Sequence, residues 1–88
     1  MSAIEQAVRL ADGTSAIVPT DLDDTRVCYW RVDAGDGPGW WIYLPRAGVG
    51  RLTLHTVVEH EDRTITVRPS IRLGARHGFL ERGVWRDV

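Results

Sequence analysis

Residues 51–73, RLTLHTVVEHEDRTITVRPSIRL, decide the fold class. Along Leu52, Leu54, Thr56 and Val58, and again along Ile65, Val67, Pro69, Ile71 and Leu73, apolar or near-apolar side chains return at every second position, the period of a β-strand. Glu61-Asp62 is the turn between them. With His60 opposite Arg63, Val58 faces Ile65, Thr56 faces Val67 and Leu52 faces Ile71, so one register makes one face of both strands apolar. The other face carries Thr53, His55, Val57, Thr66, Arg68 and Ser70. A slip of one residue would turn every side chain over, so this agreement predicts a long hairpin.

Working outward, the remaining segments give the same class. Ala7 to Val18 place Asp12-Gly13, a strong hairpin signal, between two short strand-like runs, with residues 1–6 as an arm before them. Residues 27–32 (VCYWRV) and 40–44 (WWIYL) flank DAGDGPG, and their pairing predicts another hairpin. With Val32 opposite Trp40, Cys28, Trp30 and Val32 share a face with Trp40, Ile42 and Leu44. Tyr29, Arg31, Trp41 and Tyr43 then form a second, aromatic face. Residues 45–50 read as a mobile connector and residues 74–78 as a glycine-flanked loop. FLERGVWRDV closes the chain as a small hairpin, with Leu80 opposite Val84 and Phe79 near Trp85. The expectation is an all-β domain spanning 1–88, a compact antiparallel sandwich or partly open barrel built from about four sequential hairpins.

Composition narrows the function. Hydrophobic residues at 43% and charged residues at 26% exclude a disordered chain. The absence of a long apolar run and of a basic, apolar N-terminal block predicts a cytoplasmic protein with no membrane partner. Residues 1–45 hold seven acids and three arginines, and residues 46–88 hold eight arginines and five acids, so a net charge of −1 conceals two unlike halves. All 11 basic residues are arginine.

No reaction emerges from the motifs. Asp21, Asp23 and Asp24 lack the glycine and distal glutamate of a calcium loop, and DAGDGPG puts acids where a phosphate would sit. Ser70 and His77 are the pair best spaced for a nucleophile and its base, yet no sharp elbow or nearby glycine pair accompanies them. His77 with Cys28 is the remaining thought for zinc. The reading is therefore no catalytic residues, no cofactor and no metal. Aromatic and arginine residues suit binding, and Tyr29, Arg31, Trp41, Tyr43, Arg68 and Arg72 are the expected partner-binding set. Arg51, Arg68 and Arg72, joined by Arg76 and Arg86, also raise single-stranded nucleic acid as an alternative partner.

Val67-Arg68-Pro69-Ser70-Ile71, then His77-Gly78-Phe79-Leu80 and Gly83-Val84-Trp85, is similar to the ending of a family of small phage and bacterial proteins. That ending is a Pro-Ser-Ile or Pro-Ser-Val strand, then His-Gly-aromatic-Leu and Gly-x-Trp. Many members carry paired cysteines suggestive of a metal site, which this chain, with its single Cys28, lacks. The resemblance implies a phage or prophage origin, with Pro69, Ser70, His77, Gly78 and Trp85 as a structural signature. The expectation is a non-enzymatic phage-type accessory protein that binds and modulates or inhibits a host or defence protein. A single-stranded nucleic-acid binder and a metal-supported enzyme remnant are the alternatives, and a homodimer joined through edge strands is a further expectation.

Overall fold

The structure is a computed structural model that describes residues 4–13, 19–34 and 37–88. It is all-β. Strands β6 (Thr56–Glu59), β7 (Ile65–Leu73), β8 (Arg76–Glu81) and β9 (Val84–Asp87) follow one another as an antiparallel meander, and β1 (Ile4–Gln6) adds to its far side. The five-stranded sheet thus runs β1-β9-β8-β7-β6. A second sheet runs β2-β3-β4-β5, from β2 (Val8–Arg9), β3 (Cys28–Ala34), β4 (Gly37–Leu44) and β5 (Gly48–Arg51). Strand β2 lies parallel to β3, so this sheet is mixed.

Local turn chemistry makes the meander. Between β6 and β7, His60 N–H donates to Thr64 O (2.8 Å) and Arg63 N–H to His60 O (3.0 Å). Arg63 is left-handed at φ 71°, giving the three-residue loop that ends in a bulge. Asp62 Oδ1 accepts from Thr64 N–H (3.1 Å) and from its hydroxyl (2.6 Å), closing the loop. The β8–β9 turn is Arg82-Gly83, with both residues at positive φ, the two-residue geometry that matches strand twist. Gly74 at φ 58° begins the β7–β8 turn.

These turns correct the sequence registers. Val58 pairs with Thr66 and Val57 with Val67, one residue away from the expected alignment, because the loop holds three residues rather than two. Arg31, not Val32, pairs with Trp40. Leu80 pairs with Trp85, leaving Phe79 opposite Arg86 instead of beside Trp85. The long hairpin is also shorter than expected. Arg51 ends β5 in the other sheet, and Leu52 N–H donates to Trp40 O (2.9 Å), so the chain changes sheets between Leu52 and Thr56.

Further expectations give way to pairing. Residues 4–6 form β1 instead of a free arm, and Val8 and Arg9 pair with β3. The second arm of the Asp12-Gly13 hairpin lies outside the described residues. The expected connector at 45–50 is a tight turn leading into β5, and the expected loop at 74–78 supplies the start of β8. Pro69, which has no N–H for the ladder, sits where the β7–β8 register shifts between Val67 and Ile71; its peptide bond to Arg68 is cis.

The main core lies between the sheets. Tyr29, Ile42 and Leu44 of the four-stranded sheet pack with Ile65, Val67, Ile71, Leu80 and Trp85 of the five-stranded one. Full burial of each aliphatic side chain is worth about 1.5–3 kcal/mol. The second sheet is covered on its other side as well, since Leu10, Cys28, Trp30 and Val32 are buried there with Leu22, Trp41, Tyr43 and Val49 packed against them. Among the described residues, one sheet is therefore covered on both faces, and the other on one.

Candidate binding face

The uncovered face belongs to the five-stranded sheet. Buried Ile65, Val67 and Ile71 alternate along β7 with Thr66, Arg68, Ser70 and Arg72, which turn outward. Register then places His77 beside Arg72, Phe79 beside Arg86, Glu81 beside Val84 and Ile4 beside Arg86 on that same side. Val58, 51% exposed, continues it onto β6.

At the β1–β9–β8 end, Ile4, Phe79, Glu81, Val84 and Arg86 enclose a shallow concavity of about 240 Å³. The Arg86 guanidinium lies over the Phe79 ring, 5.4 Å from its centroid. Toward β6, Arg68 reaches Glu81 at 3.9 Å, and both are well exposed, so the pair adds little stability. With Arg68, Arg72 and Arg86 against Glu81, the face has an excess of positive charge interleaved with its apolar residues.

The structure divides the expected partner-binding residues. Arg68 and Arg72 stand on this face, and Trp41 and Tyr43 lie on the far side of the other sheet. There Tyr43 Oη donates to Asp24 O (3.1 Å) and Arg51 lies 5.7 Å from the Trp41 ring centroid. Tyr29 is 1% exposed and belongs to the core, because the true β3–β4 register sets it beside Ile42. Arg31 is half-buried and 3.7 Å from Asp33. One aromatic face of four residues therefore does not exist.

The signature residues do converge. Ser70 Oγ and His77 Nε2 share a hydrogen bond of 2.7 Å across β7 and β8. His55 Nε2 donates to the Ser70 carbonyl at 3.1 Å, anchoring the segment that crosses between sheets. A Cβ on Gly78 would stand 2.5 Å from Arg86 O and 2.5 Å from the Trp85 ring, so only glycine lets buried Trp85 lie flat against β8. Trp85 Nε1–H donates to Asp87 (2.9 Å), and Arg76 grips the same carboxylate at 3.1 and 3.2 Å.

The Ser70–His77 distance alone would suit a nucleophile and base, but a triad needs an acid behind the histidine, and here the residue paired with His77 is Arg72. Among the described residues no three His, Cys, Asp or Glu side chains come together to hold a metal. Cys28 is fully buried, and desolvation pushes its thiol pKa up, away from the reactive thiolate. Among the described residues no helix is long and apolar enough to cross a membrane.

Arg9 is a feature that the sequence did not single out. Its side chain, 10% exposed, donates to Glu59 (2.6 Å), Arg63 O (2.9 Å) and Asp12 (3.1 Å), and its guanidinium lies 5.0 Å from the Trp40 ring centroid. Burial works to lower its pKa, and the bonds to Glu59 and Asp12 outweigh this and raise it. It ties the two sheets together, a long-range role with no local motif.

The geometry defines a two-sheet β protein with one open, arginine-bearing face. No family model, curated protein or solved structure matches the chain.

Proposed function

We propose that this chain is a non-enzymatic binding module, whose open five-stranded face docks on a carboxylate-rich surface of another protein. The carrying observation is that Arg68, Arg72 and Arg86 share with exposed Ile4 and half-buried Phe79 and Val84 the one sheet face that no other described residues cover. Aromatic, aliphatic and arginine side chains set side by side are the composition that protein interfaces favour. Ser70, His77, Gly78 and Trp85 act in this reading as the frame that holds the face flat. The similarity of residues 67–85 to small phage proteins supports a phage-type accessory role in a host cytoplasm, where the target is a host or defence protein that the binding modulates or inhibits.

The test is affinity capture from a bacterial host lysate, with Arg68→Glu/Arg72→Glu/Arg86→Glu and Trp41→Ala as paired controls. The expected result is a stoichiometric protein partner that the triple variant loses and Trp41→Ala keeps. A partner held equally by the triple variant would overturn the proposed face. Single-stranded DNA binding that weakens steeply with salt and vanishes in the triple variant would replace the protein partner with nucleic acid.

A further inference from the structure

We propose that β6 is a self-association edge, pairing antiparallel with β6 of a second copy of this chain about a two-fold axis at Val58. The hydrogen bond from His60 N–H to Thr64 O sets the phase of the β6–β7 ladder. Counting back by twos, Val58 and Thr56 also direct their backbone groups toward β7, so the N–H and C=O of Val57 and Glu59 point out of the sheet. Ile65, opposite Glu59, agrees with this phase, because its carbonyl faces β8 and accepts from Gly83 N–H at 3.0 Å.

A pairing centred on Val58 is therefore self-complementary. Val57 of each copy meets the partner's Glu59, and each such pair exchanges two N–H···O bonds. Val58 then meets the partner's Val58 in a non-hydrogen-bonded position, the close one, with Cα atoms about 4.5 Å apart. Exposed apolar surface collects here, with Val58 51% and nearby Leu54 93% exposed. Charge does not oppose the approach, since the Glu59 carboxylate is turned to Arg9 at 2.6 Å. The four-residue strand Thr56–Glu59 carries no lysine, proline or bulge, and its single charged side chain is the Glu59 already held by Arg9. Two-fold pairing of this kind would also join the two open faces into one continuous surface.

Sedimentation of the full chain across a concentration series tests the inference, together with oxidation of Val58→Cys and Glu61→Cys by oxidised glutathione. Cα atoms near 4.5 Å fall within the disulfide range of about 4.4–6.8 Å. Val58→Cys should give a covalent dimer at least tenfold faster than Glu61→Cys, and the parent should move toward twice the monomer mass as concentration rises. Val58→Arg should remain monomeric. Since Val58 is half exposed, the cysteine variant reads the register even if the arginine variant fails to fold. A parent that stays monomeric at millimolar concentration, or equal cross-linking by both cysteine variants, would overturn the proposal.

Discussion

Asp87 accepts hydrogen bonds from Trp85 and Arg76 beneath the last strand, and its ionisation couples the C-terminal hairpin to pH. Burial works to raise its pKa, and the Trp85 and Arg76 bonds overcome this and hold it below the usual carboxylate value. The folded pKa is depressed, so the contribution is present above the unfolded value of about 3.9 and disappears as pH falls through the folded one. Asp87→Asn should therefore cost about 1–2 kcal/mol at pH 7 in urea unfolding, with the gap to the parent narrowing below about pH 4. A gap that is constant with pH would exclude this role. Gly78 belongs to the same scale. The His-Gly pair is visible in sequence, but the reason for the glycine is the Trp85 ring lying against it.

At the scale of elements, the misread registers at β6–β7 and β8–β9 were each shifted by one residue for a shared reason. The strand runs were legible from period two, whereas the alignment depends on loop length, and loop length depends on which residue takes a positive φ. Here that residue is often arginine, at Arg46, Arg63 and Arg82, where sequence reading expects glycine or asparagine. Left-handed φ costs a side-chain-bearing residue about 1–2 kcal/mol, partly offset in any glycine replacement by a more flexible unfolded chain. Exposed Arg46, at φ 68°, makes the clean test. Arg46→Gly should raise stability by about 0.5 kcal/mol, measured as a higher urea midpoint at unchanged slope. Gly83→Ala should do the reverse, as a Cβ there meets Thr64 Cγ2 at 3.0 Å. A lower midpoint for Arg46→Gly would contradict this account.

At the scale of the molecule, Arg9 links β2 to Glu59 and to the turn carbonyl of Arg63, adding charged bonds between sheets that meet mainly through their apolar core. Arg9→Met keeps much of the stem and removes the charged bonds, and should cost about 1.5–3 kcal/mol in urea unfolding. Arg9→Met with Glu59→Gln should cost less than the sum of the two single changes. Strict additivity would show that Arg9 and Glu59 are not coupled.

The sequence by itself determined that the chain is all-β and where most strands lie, properties that follow from side-chain alternation along the chain. Only the tertiary structure decided that Tyr29 is core, that residues 51–55 cross between sheets, that β2 runs parallel to β3, and that Arg68, Arg72, Arg86 and Phe79 share one open face. Which face of a strand is buried depends on what the other sheet, the β1 strand and the loop over Trp30 cover. Those partners come from distant parts of the chain, so no local period records them.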